Sequence, residues 1–226
     1  MSAKHAVSVL LVRPHIGSGL EVLMVRRPLA IAPGNAYAFP GGIVNNEDCS
    51  EEVLRRCVGL DPMQARDILG KDLSPEISLG HWVAGIRNLF QQVGLLLCSH
   101  RDGESTSPAP RKQCEATFDF RALLKSEGLY CDAARLGYYS RWLIFEEITG
   151  RLDTRFFLTL LSPDQNPDPN PQEIADSLWL TPERSLSLCQ QGKLSVSFPT
   201  FGSLRTLADF DSPDALASEY GIPRKS

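Results

Sequence analysis

The sequence predicts an α/β domain, in which buried strands alternate with amphipathic helices. Apolar runs mark two strands at 6–13 and 21–26, which a glycine-bearing turn joins into a hairpin. Apolar residues at three- and four-residue spacing mark a helix at 81–94. The other predicted strands are 36–39, 95–99, 136–145, 155–161 and 174–180, and the other predicted helices after residue 94 are 117–127, 181–191 and 199–209.

The composition indicates a single domain over residues 1–226. Hydrophobic residues make up 42% of the chain and charged residues 22%, which are ordinary values for a soluble globular protein. The net charge of −4 lacks the basic excess of proteins that bind a phosphate backbone. We therefore expect no nucleic-acid partner.

The sequence also bears on the compartment. No apolar run approaches the roughly 18–20 residues needed to span a bilayer, and the N-terminus leads into a strand without a signal peptide. Six cysteines are scattered without a CxxC pair, which favours reduced thiols over the alternatives of disulfides or a zinc site. We therefore expect a cytoplasmic protein with no membrane association, while the sequence leaves its oligomeric state open.

Two segments carry the main functional signal. In the first, Phe39-Pro40-Gly41-Gly42 ends a strand, and its two glycines allow a tight turn and close approach of the backbone to a ligand. The second is the helix at 81–94, whose buried stripe includes Ile86, Phe90 and Val93. On the helical period, Asn88, Gln91 and Gln92 share the opposite, outward face.

Together these segments resemble the sequence box of the Nudix hydrolases. That pattern is Gly, five residues, an acid, seven residues, then Arg-Glu-apolar-x-Glu-Glu-x-Gly-apolar. Gly42 and Asp48 fit its first half, and Arg87, Leu89, Gly94 and Leu95 fit its second half. The resemblance implies a Nudix-type α/β/α sandwich with a mixed central sheet. It also implies that Arg87 pairs with Asp48 at the base of the box.

The box departs from the family pattern in its acids. Asn88, Gln91 and Gln92 stand where the family has the three glutamates that hold Mg²⁺ or Mn²⁺. An amide brings neither charge nor basicity to a cation that prefers carboxylate ligands. Each lost charge at about 4 Å removes on the order of 4 kcal/mol per unit of cation charge at an effective dielectric of about 20. We therefore expect no metal cofactor.

The spacing of the box departs as well, because 38 residues instead of seven separate Asp48 from Arg87. Residues 49–79 form this insertion, and capping signals predict helices from Ser50 and from Asp61-Pro62. A Nudix subgroup that includes coenzyme A diphosphatases resembles this layout. The coenzyme A signature of that subgroup is broken here, because Ile31 and Asn35 replace its Arg and Gly. We expect a loosely held tail at 212–226.

Several other charged residues are candidates for the site. Arg26 and Arg27 follow a strand and could meet phosphates, or be merely exposed. Asp153 and Arg155 point to one face of a strand and could line a cleft or form a cross-strand charge pair. Displaced acids could come from Glu146 and Glu147, unless these belong to a solvated turn. The predicted ligand-binding residues are Arg26, Arg27, Phe39, Gly41, Gly42, Asp153 and Arg155, and the predicted box positions are Asp48, Arg87, Asn88, Gln91 and Gln92.

Two functional hypotheses follow from the resemblance. In the first, the chain is a pseudoenzyme that binds a nucleoside-diphosphate-linked small molecule with little or no hydrolysis. In the second, it is an active hydrolase of such compounds, coenzyme A derivatives among them. The second hypothesis requires Mg²⁺ or Mn²⁺ held by relocated carboxylates, for which Asp48, Glu146 and Glu147 are the candidates. The triple amide face favours the first hypothesis.

Overall fold

The computed structural model describes residues 3–30, 35–101, 118–146 and 150–223. Most of the predicted polar loop at 101–110, and also Ile31, Glu147 and Cys114, lie outside these ranges. The strands are β1 (Lys4–Pro14), β2 (Leu20–Arg26), β3 (Tyr37–Ala38), β4 (Gly41–Ile43), β5 (Cys57–Val58), β6 (Cys98–Ser99), β7 (Tyr130–Asp132), β8 (Gly137–Glu146), β9 (Gly150–Leu160) and β10 (Asp176–Leu180). The α-helices are α1 (Glu51–Leu54), α2 (Pro62–Leu69), α3 (Pro75–Val93), α4 (Phe120–Ser126), α5 (Pro182–Gln190), α6 (Phe198–Leu207) and α7 (Pro213–Glu219).

The described strands build a mixed seven-stranded sheet and a small three-stranded one. The large sheet has the order β10-β2-β1-β9-β8, with β3 paired to β2 and β4 paired to β1. Its central pair, β1 and β9, is parallel, and its other pairs are antiparallel. The small sheet has the order β5-β7-β6. The prediction of a mixed central sheet is confirmed.

Helices cover both faces of the large sheet. Alternate residues of β1 point to opposite sides, so Val9 and Leu11 pack with α3 while Leu10 and Val12 pack with α6 and α7. The two hydrophobic clusters thus lie on either side of one sheet. This is the α/β/α sandwich that the sequence predicted.

Helix α3 is longer than the predicted helix at 81–94 because it begins six residues earlier. Ser74 is its N-cap and accepts a hydrogen bond from the Ile77 N–H at 3.2 Å, and Pro75 occupies the first turn. The helix ends at Gly94, whose φ of 72° is the left-handed conformation that favours glycine. The second half of the box therefore lies on one helix from Arg87 to Val93, with Gly94 as its C-cap and Leu95 just beyond it.

The insertion is a structured part of the domain. Both predicted helices are present as α1 and α2, and Asp61 caps α2 by accepting from the Gln64 N–H at 2.9 Å. Strand β5, which follows α1 and pairs with β7, was not predicted from the sequence. Val53, Ala65 and Leu69 join the core around α3. The insertion thus packs against the helix whose box it interrupts.

Two predictions about irregular segments are wrong. Residues 212–219 are not a loose tail, because Ser212 caps α7 and Leu216, Ala217 and Ile222 are buried against the sheet. Gly41 and Gly42 are not a turn, because they pair with Ser8 and Val7 as strand β4. In both places a short polar or glycine-rich sequence is fixed by contacts with distant elements.

Candidate functional site

The site is built around an ion pair that closes the insertion. Asp48 lies in a short 3₁₀ turn (Asn46–Cys49), and Arg87 lies on α3. The Arg87 guanidinium donates to both carboxylate oxygens of Asp48, from Nε at 2.7 Å and from Nη2 at 2.8 Å. The carboxylate also accepts the Asn45 N–H at 2.8 Å, and Asp48 is only 2% exposed. The predicted pair between Arg87 and Asp48 is confirmed.

Gln92 bonds to the backbone of strand β4. Its Nε2 donates to the carbonyl oxygen of Gly41 at 2.7 Å, and its Oε1 accepts the Gly41 N–H at 3.0 Å. Gln92 is 1% exposed. An amide can make both bonds because it carries a donor and an acceptor, whereas an ionised carboxylate has no donor. At this position, glutamine bonds both the N–H and the carbonyl of Gly41, whereas an ionised glutamate could bond only the N–H.

The other two amides are also engaged inside the protein. Asn88 is buried and donates from Nδ2 to the Ala84 carbonyl at 2.8 Å. Its Oδ1 lies against Gly42, where an added Cβ would come within 2.6 Å of that oxygen. Gln91 is half-buried, and its Oε1 accepts from Arg87 Nη1 at 2.8 Å. The prediction of an outward amide face is therefore wrong, because β4 covers Asn88 and Gln92.

Gly41 can pass so close to its neighbours only because it has no side chain. A Cβ at this position would overlap the carbonyl oxygen of Val7 on β1. The sequence predicted close approach of these glycines to a ligand, and in the structure their close neighbours are β1 and α3. Phe39 is likewise a core residue, 4% exposed and edge-on to Phe156.

The two neighbouring arginines have different partners. Arg26 donates to Asn35 Oδ1 at 2.6 Å and lies 3.6 Å from an oxygen of Asp176. Arg27 donates from Nη2 to the carbonyl oxygen of Gly41 at 2.5 Å. Arg27 therefore shares the Gly41 oxygen with Gln92. The structure thus brings Arg27, and not Arg26, to the box.

Asp153 and Arg155 lie in an internal charge network. Of the two predicted alternatives, a cleft lining or a cross-strand charge pair, the structure shows the pair, between Asp153 and Arg141 on β8. Arg141 on β8 donates to both oxygens of Asp153 at 2.9 and 2.8 Å, and Arg155 donates to Oδ1 at 2.5 Å. Burial alone would raise the pKa of Asp153, but the hydrogen bond from Arg141 and the charge of Arg155 outweigh it and lower that pKa. Beside this network, burial lowers the pKa of His81 to about 4.

The residues present do not fit a Nudix-type metal ion. Both polar atoms of Gln92 are used by Gly41, and Gln91 Oε1 is used by Arg87. Among the described residues, no three His, Cys, Asp or Glu side chains converge where a metal could bind. A cavity lined by Asp48 and Arg87 among others encloses about 60 Å³, room for a few waters. The Glu146 side chain and Glu147 lie outside the described part of the chain.

One residue that holds the end of α3, Asn170, was not predicted from the sequence. Asn170 donates from Nδ2 to the Gln91 carbonyl at 3.2 Å, and its backbone N–H donates to the Gln92 carbonyl at 2.8 Å. These bonds satisfy carbonyls in the last turn of the helix, which otherwise lack partners. The signal was weak, because Asn170 stands in a proline-rich segment that reads only as a loop.

Comparisons with known proteins agree with this geometry. No protein-family model matches the chain. A crystal structure of a Nudix hydrolase from Alicyclobacillus acidocaldarius superposes with a TM-score of 0.80, covering 99% of both chains at 22% sequence identity. The acyl-coenzyme A diphosphatase NUDT19 of Gallus gallus is 28% identical over an alignment of 223 positions, which covers 79% of this chain and 58% of that protein.

The chain thus spans less than two thirds of the length of this curated relative. Within the ranges that the structure describes, no helix is both long and apolar enough to cross a membrane. Four findings point to the same fold: the sheet order, the helices on both faces, the Asp48–Arg87 pair at the base of the box, and the structural similarity. The chain therefore has the fold of the Nudix hydrolases.

Proposed function

We propose that this chain is a Nudix-fold protein that binds a nucleoside-diphosphate-linked small molecule with little or no hydrolysis. One observation carries the proposal: the side chains at the box positions of the metal-binding acids are amides engaged in internal hydrogen bonds. In a metal-dependent hydrolase, a cluster of carboxylates binds the divalent cation, and a water molecule on that cation supplies the nucleophile. The side chains of Asn88, Gln91 and Gln92 carry no negative charge, and most of their polar atoms are already used in hydrogen bonds within the protein.

The positive groups that remain suit binding rather than turnover. Arg27 lies beside the glycine strand, and a guanidinium matches phosphate oxygens well. It stays protonated in proteins, so it can hold a phosphate but cannot remove a proton from water. The cysteines of the described ranges form no disulfide, which suits a reducing compartment, and we extend the proposal to a cytoplasmic location.

The test is a combined binding and turnover screen. Coenzyme A, ADP-ribose, NADH and a sugar nucleotide are added with Mg²⁺, with Mn²⁺ and with EDTA. We expect at least one compound to raise the melting temperature, and we expect product formation to stay at the level of the buffer blank. Robust metal-dependent turnover of any of them would overturn the proposal.

The second candidate function is hydrolysis of a coenzyme A derivative. The observation in its favour is the 28% identity to an acyl-coenzyme A diphosphatase. Hydrolysis would need carboxylates from elsewhere, for which Asp48, Glu146 and Glu147 remain the candidates. Asp48 is already occupied by Arg87 and Asn45. If the screen detects turnover, Glu146→Gln and Glu147→Gln should each abolish it, with kcat reduced and the fold unchanged.

A further inference from the structure

Arg27 and Gln92 meet at one atom, the carbonyl oxygen of Gly41. Arg27 Nη2 donates to it at 2.5 Å and Gln92 Nε2 at 2.7 Å. Two donors on one acceptor lie within about 5 Å of each other. A permanent cation therefore stands directly beside a box position at which hydrolases with this fold carry a metal-binding acid.

The charge of Arg27 forms no ion pair with any residue that the structure describes. Among the described residues, no carboxylate lies within ion-pair distance of Arg27, whereas Arg26 has Asp176. Arg27 lacks an ion-pair partner at position 92 because Gln92 is an amide. A glutamate there would lie close enough to pair with the guanidinium. Arg27 is also half-buried, so water screens its charge only in part.

We propose that Arg27 supplies the positive charge that a divalent cation supplies in hydrolases of this fold, and that it binds an anionic diphosphate directly. This inference rests on the proposed function and names the group that performs the binding. One N–H of the guanidinium holds Gly41, and its other donors can contact phosphate oxygens. The amides at 91 and 92 leave this charge uncancelled. Binding should therefore need no metal.

Binding is tested by calorimetry with two probes, ADP and inorganic pyrophosphate, in EDTA and again in Mg²⁺. The variants are Arg27→Gln, which can still donate to Gly41, and Arg27→Lys, which keeps the charge. Arg13→Gln is the matched control, since it removes an equal charge from a half-buried arginine on β1 that pairs with Glu21 away from the box. Thermal melts confirm that each variant is folded.

We expect wild type to bind the probes equally well in EDTA and Mg²⁺. Arg27→Gln should weaken binding about 10- to 100-fold, Arg27→Lys should weaken it less, and Arg13→Gln should change it less than about twofold. Affinity should also fall with added salt, and less steeply in Arg27→Gln.

The outcomes separate this inference from the proposed function. Metal-free binding that survives Arg27→Gln unchanged would overturn the role of Arg27 and leave the proposed function standing. Binding that appears only with Mg²⁺ would likewise overturn the inference. Failure of wild type to bind either probe under any condition, or metal-dependent cleavage of ADP, would instead overturn the proposed function itself.

Discussion

The side-chain amide of Gln92 and the backbone of Gly41 exchange two hydrogen bonds, at 2.7 and 3.0 Å. This pair joins the C-terminal half of α3 to strand β4, and through β4 to the centre of the sheet. A residue at a box position thus holds the fold together. Gln92 must be an amide to bond both backbone groups of Gly41, because the carbonyl needs a donor and the N–H needs an acceptor.

The first prediction concerns this pair. Gln92→Glu should destabilise the protein by about 1–3 kcal/mol at pH 7, because losing one donor to the Gly41 carbonyl and repelling that oxygen should outweigh a new pair with Arg27. Urea unfolding measures the change. Gln91→Glu is the control and should be close to neutral, since its carboxylate can still accept from Arg87. Equal losses in both variants would contradict the structural role of Gln92.

The second prediction concerns metal. Millimolar Mg²⁺ should leave the melting temperature almost unchanged relative to an equal ionic strength of KCl, because a ligand stabilises only by binding the native state. Differential scanning fluorimetry measures this directly. A rise of several degrees that disappears in Asp48→Asn would show that the ion pair with Arg87 opens to admit a metal.

The third prediction concerns the ion pair between Arg87 and Asp48. Arg87→Met should cost about 3–5 kcal/mol, because it leaves a carboxylate that is 2% exposed without its counter-charge. Adding Asp48→Asn should recover much of that loss. Arg55→Met breaks the exposed pair with Glu51 and should cost less than about 1 kcal/mol. A small effect of Arg87→Met would mean that the carboxylate is solvated.

The fourth prediction concerns pH. The pKa of His81 is about 4 in the folded protein and near 6.5 when unfolded. Its contribution to stability is complete above pH 6.5 and is lost as the pH falls toward 4, because only the unfolded state takes up the proton. The loss is on the order of 3 kcal/mol. In urea unfolding between pH 4 and 7.5, His81→Gln should flatten this slope.

The fifth prediction concerns the thiols. Cys57 and Cys98 each stand opposite Cys131 on neighbouring strands, and the hydrogen bond to Cys131 is the main cause that raises the pKa of Cys57. Burial raises the pKa of Cys49 to about 11. We expect these thiols to react slowly with iodoacetamide at pH 7 and quickly after unfolding, as peptide mass mapping would show. Labelling of native Cys49 at the rate of free cysteine would contradict this.

Much of the fold could be predicted from local pattern. The hairpin, the helix stripe of Ile86, Phe90 and Val93, and the caps at Asp61 and Thr181 depend on neighbouring residues, so the sequence encodes them directly. The pair of Asp48 and Arg87 was also predictable, because box spacing survives on each side of the insertion. Helix α7 was not, since its seven residues are held by burial of Leu216 and Ala217 against the sheet.

The sequence by itself determined that amides stand at three acid positions of the box, and from these residues alone we expect no metal cofactor. Only the tertiary structure decided what those amides do. Helical periodicity places Asn88 and Gln92 opposite the buried stripe, but it cannot show that β4 lies on that face as well. The reason is physical: hydrogen bonds between Gln92 and Gly41 join residues 51 positions apart, and sequence pattern records only near neighbours.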